Sequence, residues 1–92
     1  MIAEDIKENL FRIKKELGIL LLTIRQRNGL TQQFVADSID MSCGNVYRIE
    51  KKHEATLDEM LKLYAFYYSK NYRTVEDEDL FRKIVKGKFI DY

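Results

Sequence analysis

Residues 31–50 read TQQFVADSIDMSCGNVYRIE, and the apolar spacing of this stretch decides the fold. Thr31 is suited to cap a short helix of about eight residues. The residues expected to face inward from that helix are Phe34, Val35, Ala36 and Ile39. Asp40 follows where the chain must turn sharply, and aspartate tolerates a positive φ better than most residues. The first half of the stretch therefore predicts a helix followed by a tight turn.

The second half of the stretch predicts another helix, because Ser42 is again suited to an N-cap. Val46 and Ile49 are three positions apart and share one helical face, which we expect to be buried. The residues expected to point outward are Cys43, Gly44, Tyr47, Arg48 and Lys51. This outward face is free to bind a ligand.

The sequence before this stretch has the apolar spacing of a helix. Its apolar stripe consists of Ile6, Leu10, Ile13, Leu17, Leu20 and Ile24. Gly18 interrupts the stripe, and a glycine costs about 1 kcal/mol relative to alanine inside a helix. We therefore expect a break or bend at Gly18, with two stacked helices as the favoured reading over one long helix. The Asn28-Gly29 pair predicts the end of this helical region.

The sequence after residue 50 predicts a polar loop from Lys51 to Ala55 and then two more helices. Thr56 and Glu59 have the spacing of a capping box. The apolar residues of the helix that follows are Leu57, Met60, Leu61, Tyr64 and either Tyr67 or Tyr68. A linker over 69–73 leads to a last helix from about residue 75 to 86. Its apolar residues are Leu80, Phe81, Ile84 and Val85.

The composition favours an all-α fold, because 46% of the residues are hydrophobic and there is no proline. The formal net charge of +1 is far from strongly basic, and residues 18–52 are only mildly positive. A single cysteine and a single histidine predict neither an internal disulfide nor a metal site. The longest apolar run, 19–22, is too short to span a membrane, and no signal peptide or cofactor is expected.

The order of these features resembles the Xre or lambda-repressor-like family of helix-turn-helix regulators. The resemblance covers residues 17–63, about half of the chain. The residues that carry it are Leu17-Gly18, Arg25, Gly29-Leu30-Thr31-Gln32, Val35-Ala36, Ile39, Ser42, Val46 and Ile49-Glu50. It implies one all-α domain of five or six helices over 1–92. The DNA-binding core would lie at about 18–67, with helical extensions at 4–17 and 75–87.

Three of the matching residues are expected to build the scaffold. Ala36 lies where two helices would cross, and its small side chain lets their backbones approach closely. The resemblance implies that Arg25 and Glu50 form an ion pair that bridges the first and third helices. The alternative is that they are two unrelated surface charges.

The family places its third helix in the major groove and uses the start of its second helix to contact phosphate. The resemblance therefore assigns Thr31 and Gln32 to phosphate, the alternative being an ordinary solvated helix start. The matching positions of the third helix are Ser42, Cys43, Gly44, Tyr47 and Arg48.

Among these positions, Arg48 is the best candidate for reading a base, since a guanidinium can donate twice to guanine O6 and N7. Contact with phosphate alone is the other reading. Asn45 is suited either to pair with adenine or to help cap the helix. Tyr47 is expected to contact phosphate or a thymine methyl group. Lys51, Lys52 and the neighbouring His53 either contact phosphate or belong to a solvated loop.

The sequence departs from the family at two positions of the reading face. Many relatives carry long polar side chains where this chain has Cys43 and Gly44, and many have glycine where it has Lys52. Small side chains cannot reach far into a groove. Specificity is therefore expected to depend more on Arg48, Tyr47 and the shape of the DNA.

The predicted function is that of a transcriptional regulator, a repressor in the first instance, in the cytoplasm at the nucleoid. The alternatives are an antitoxin that binds a small partner protein through its flanking helices, and an interaction module that does not bind DNA. The flanks are expected to form a homodimer on a palindromic operator or else to cover the core. Nothing in the sequence predicts an enzyme.

Overall fold

The computed structural model describes the backbone of residues 2–89 and the side chains of residues 7–86. Within that range the chain is all-helical and has no strand, as the sequence predicts. The helices are α1 (Ile2–Arg27), α2 (Gln32–Ser38), α3 (Cys43–Tyr47), α4 (Leu57–Ser69) and α5 (Val75–Phe89). One π-helical turn, Arg48–Lys52, continues α3, and the two together are called the α3 segment. The side chain of Ile6 lies outside the described residues, and so do residues 1 and 90–92 of the predicted domain.

Helix α1 is continuous through Gly18, so the predicted break there is wrong. A Cβ atom on Gly18 would lie 2.5 Å from His53 Nδ1 and closer still to the carbonyl oxygen of Ile49. The glycine therefore permits close approach between α1 and the π-helical turn. Burial of the stripe that includes Ile13 and Leu17 outweighs the low helix propensity of one glycine.

The end of α1 is fixed by local hydrogen bonds, as the Asn28-Gly29 pair predicts. Gly29 has a φ of +68°, and the Leu30 amide donates to the Arg25 carbonyl over 3.1 Å. The Asn28 side-chain amide donates to the Ile24 carbonyl at 2.8 Å and to the Tyr72 carbonyl at 3.0 Å. Asn28 thus ties the end of α1 to the segment between α4 and α5.

The caps of the two short helices match the prediction. The Thr31 hydroxyl accepts a hydrogen bond from the Phe34 amide at 3.0 Å, and the Ser42 hydroxyl accepts one from the Asn45 amide at 3.0 Å. Asp40 lies between the two helices with a φ of 55°. Seven and five residues of regular helix are too few to be stable alone, so burial of Val35, Ile39 and Ile49 in the shared core must stabilise this pair.

One core joins the helices, and it corrects two details of the predicted pattern. The buried apolar residues are Ile13, Leu17, Leu20, Leu21, Ile24, Val35, Ala36, Ile39, Val46, Ile49, Ala55, Met60, Leu63, Tyr64, Tyr67 and Ile84. Phe34 is 48% exposed, so its predicted inward position is wrong. Val35 and Ala36 fill the inner face of the short α2, and Phe34 lies beside them at the rim of a groove with Phe66. Of the two candidate tyrosines in α4, Tyr67 is buried and Tyr68 is exposed.

Helices α4 and α5 close the core from the other side. The predicted capping box at Thr56 and Glu59 is present. The rings of Tyr64 and Phe81 stack with centroids 3.9 Å apart. Arg27 of α1 forms an ion pair with Asp77 at the start of α5. Burial would raise the pKa of Asp77, but hydrogen bonds from Arg27 and Thr74 hold it below its usual value.

Candidate nucleic-acid interface

The outward face of α3 and its π-helical extension is a polar and basic surface. Its exposed residues are Ser42, Gly44, Tyr47, Arg48, Lys51 and Lys52, with Cys43 half-buried among them. The opposite face is fully enclosed, since Val46 and Ile49 have no exposed area and Glu50 is 2% exposed. The packing therefore fixes which side of this helix meets solvent.

A buried ion pair holds this helix against α1. Arg25 Nε donates to Glu50 Oε2 at 2.7 Å, and Arg25 Nη2 donates to Glu50 Oε1 at 3.0 Å. The third nitrogen of Arg25 donates to the Leu30 carbonyl at 2.8 Å. The hydrogen bond with Glu50 raises the pKa of Arg25 against the opposing effect of burial. The predicted pair is therefore present, and the reading of two unrelated surface charges is wrong.

Gln32 takes part in the same network. Its side-chain amide nitrogen donates to Glu50 Oε1 at 3.0 Å, so the start of α2 is tied to the end of the α3 segment. Thr31, the other residue assigned to phosphate, uses its hydroxyl as the N-cap of α2. Gln32 therefore links α2 to the π-helical turn, whereas Thr31 stabilises the start of α2 itself.

The Asn45 side chain has two protein partners that the sequence did not predict. Its side-chain nitrogen donates to Glu59 Oε2, and its side-chain oxygen accepts from Arg48 Nη2 at 2.6 Å. The cap of α3 is made by the Ser42 hydroxyl to the backbone of Asn45, so the Asn45 side chain is not the cap. The Asn45 side chain bridges Glu59 at the start of α4 to the exposed Arg48 at the start of the π-helical turn.

Glu59 is the residue of this surface that the sequence missed. The capping-box pattern identifies it as part of α4, but nothing local to α4 signals a partner fourteen residues earlier. Hydrogen bonds from the Thr56 backbone and from the Asn45 side chain lower the pKa of Glu59, so its carboxylate is ionised at neutral pH. A negative charge therefore lies behind the exposed guanidinium of Arg48.

The predicted loop from Lys51 to Ala55 begins too early. Lys51 and Lys52 belong to the π-helical turn, which closes when the His53 amide donates to the Arg48 carbonyl at 2.7 Å. His53 then ends the helix with a φ of 57°, and its ring packs beside Gly18. Both lysines are exposed and form no ion pair within the described residues.

Two other kinds of feature are absent from the part of the chain that the structure describes. Among residues with described side chains, no group of three or more His, Cys, Asp and Glu could hold a metal ion. None of the helices in the described range has the length and apolar character needed to cross a membrane. No family model, curated protein or solved structure matches this chain.

Proposed function

We propose that this chain is a sequence-specific DNA-binding protein of the Xre or lambda-repressor-like class and acts as a transcriptional repressor. The observation that carries the proposal is the division of the α3 segment into a locked inner face and an exposed polar face. A helix that is to enter the major groove needs both, because its orientation must be fixed and its base-contacting side chains must be free. Such a repressor works in the cytoplasm, at the nucleoid.

The scaffold around α3 supports this proposal. Two hydrogen bonds join Arg25 and Glu50, so this pair fixes the orientation of the helix more firmly than a single contact would. Ala36 has no exposed area, which agrees with close contact between α2 and its neighbours.

The residues of this face fall into three groups by the length and chemistry of their side chains. Arg48 begins the π-helical turn that continues α3, and its long side chain carries the donors that match guanine O6 and N7. Cys43 and Gly44 leave the first turn of α3 flat, which allows close approach to the edges of the bases. Ser42 and Tyr47 flank this flat turn and provide hydroxyl groups for phosphate or base contacts.

Phosphate contacts are assigned to the ends of the surface. Lys51 and Lys52 lie just beyond Arg48 on the π-helical turn, and Thr31 and Gln32 lie at the start of α2. Lysine side chains at such positions neutralise phosphate charge without reading sequence.

The Arg48→Ala variant tests whether Arg48 reads a base or only neutralises phosphate charge. We expect it to relax preference at one base pair by about tenfold, within the range for a bidentate contact to guanine. Lys51→Ala is the matched control, because it removes one exposed positive charge three residues away. It should weaken binding to all duplexes alike and reduce the slope of log affinity against log salt by about 1. Uniform weakening by both variants would make Arg48 a phosphate contact.

We also propose that the protein is a homodimer formed by α1 and α5, on an operator with two half-sites. A groove between these helices is lined by Glu16, Ile19, Leu20, Thr23, Asp77, Leu80 and Ile84. Ile19 is 50% exposed and Leu80 is 46% exposed, although both are large and apolar. Phe11, two turns earlier on α1, is 59% exposed. A second copy that packed against this surface would remove it from water and supply the two-fold symmetry of a palindromic site.

Light scattering coupled to size-exclusion chromatography tests the dimer. At tens of micromolar we expect twice the mass of the chain, and Leu80→Glu should reduce it to that of a monomer, because a carboxylate cannot be buried there unpaired. Leu61→Glu is the control, since Leu61 is 37% exposed on α4 and does not line the groove. A wild-type protein that is monomeric at this concentration would contradict the proposed dimer.

A further inference from the structure

A chain of hydrogen bonds runs from the start of α4 to the exposed face of α3. Glu59 Oε1 accepts from the Thr56 amide at 2.9 Å and from the Thr56 hydroxyl at 3.1 Å. Glu59 Oε2 accepts from the Asn45 side-chain nitrogen, and Asn45 Oδ1 accepts from Arg48 Nη2 at 2.6 Å. The chain begins at a helix cap, which is rigid, and ends at the guanidinium of Arg48.

The chemistry of the two ends fixes the direction of every hydrogen bond in this chain. An ionised carboxylate can only accept, and a guanidinium can only donate. The side-chain amide of Asn45 must therefore turn its nitrogen to Glu59 and its oxygen to Arg48. The lowered pKa of Glu59 keeps the carboxylate in the accepting state at neutral pH.

Arg48 needs such support because its side chain is exposed and flexible. An unrestrained arginine samples many rotamers, and reading guanine requires one planar orientation of the guanidinium. No carboxylate pairs directly with Arg48 within the described residues. The contact with Asn45 holds one nitrogen, Nη2, and leaves the other donors of the guanidinium without a protein partner among the described side chains.

We propose that Glu59, acting through Asn45, is a positioning residue that fixes the direction in which Arg48 presents its guanidinium to a base edge. This rests on the proposed DNA-binding function, and it assigns part of the sequence specificity to a helix that does not enter the groove. Glu59 itself touches no base. It affects base preference only through the orientation of the Asn45 side-chain amide.

Glu59→Gln is the most direct test, because it keeps the capping box of α4 and reverses the orientation of the Asn45 side-chain amide. The glutamine oxygen can still accept from Thr56, but its nitrogen is a donor and must face the oxygen of Asn45. Asn45 then turns its own nitrogen to Arg48, where two donors oppose each other. Asp58→Asn is the matched control, since Asp58 is an exposed carboxylate in the same turn of α4 and is not part of the hydrogen-bond chain.

Base preference is measured for each variant against duplexes that differ at the base pair read by Arg48. We expect Glu59→Gln to lose about threefold of the preference at that pair, less than Arg48→Ala, because a free guanidinium must be ordered on binding but can still contact guanine. Asn45→Ala should give the same loss, and the double variant should lose no more than either single one. Asp58→Asn should leave the base preference unchanged, because it neutralises a carboxylate of the same helical turn and keeps the contact between Glu59 and Asn45. An unchanged preference in Glu59→Gln would overturn the positioning role.

A second measurement does not need DNA and separates this role from the proposed function. Nitrogen-15 relaxation of the Arg48 Nε group reports the order of its side chain in the free protein. We expect this order to fall in Glu59→Gln and Asn45→Ala and to stay the same in Asp58→Asn. If wild-type protein prefers no duplex, the proposed function fails. If Arg48 is equally mobile in all variants, the positioning role fails regardless of DNA.

Discussion

Glu50→Ala is expected to lower the free energy of unfolding by about 3 to 5 kcal/mol, as is usual when one partner of a buried ion pair is removed. Glu50 has no exposed side-chain area, and Arg25 retains only 12% of its own. The alanine would leave the guanidinium without its two carboxylate contacts and the Gln32 amide without its acceptor. Urea denaturation followed by circular dichroism measures the loss.

Two further variants show whether the loss comes from the unpaired charge. Glu54→Ala removes an exposed carboxylate four residues away and should change the stability by less than about 0.5 kcal/mol. Replacement of both Arg25 and Glu50 by methionine should recover at least half of the loss, since no charge is then buried alone. A loss below about 1 kcal/mol in Glu50→Ala would contradict the buried pair.

Gly18→Ala is expected to destabilise the protein by about 2 kcal/mol, although alanine is the better helix former by about 1 kcal/mol. The added Cβ would overlap the Ile49 carbonyl oxygen, which is backbone and cannot rotate away. Either α1 or the π-helical turn must move. Thermal unfolding with a calorimeter measures the change.

Gly44→Ala is the matched control because it makes the same substitution in an open place. Its Cβ would lie 3.8 Å from Arg48 Nη1 and 4.0 Å from the Ser42 hydroxyl, which are ordinary contacts. We expect a small gain in stability from helix propensity. If both alanines stabilise the protein, α1 and the π-helical turn are not in close contact.

The helices themselves were largely predictable from local chemistry. Thr31, Ser42 and Thr56 all cap helices as their side chains suggest, and Gly29 ends α1. The prediction at Gly18 was wrong because the residues that leave no room for a side chain there, Ile49 and His53, lie more than thirty positions later in the sequence. A glycine that is needed for close packing has the same sequence signal as one that breaks a helix.

The site was predictable in its outline but not in its hydrogen bonds. The three-residue spacing of Val46 and Ile49 identified the buried side of α3 and, by exclusion, the exposed one. The resemblance supplied the pair of Arg25 and Glu50, which no local pattern could have joined. The bridge from Asn45 to Glu59 depends on how α4 docks against α3, and sequence alone does not contain that geometry.

Selection of bound duplexes from a random pool tests the central proposal, that the exposed face of α3 reads DNA. The account predicts an enriched motif of two symmetric half-sites about one helical turn apart, each with a guanine lost from the motif in Arg48→Ala. Low salt favours any binding through phosphates. A pool that remains random after repeated selection at low salt would contradict the account.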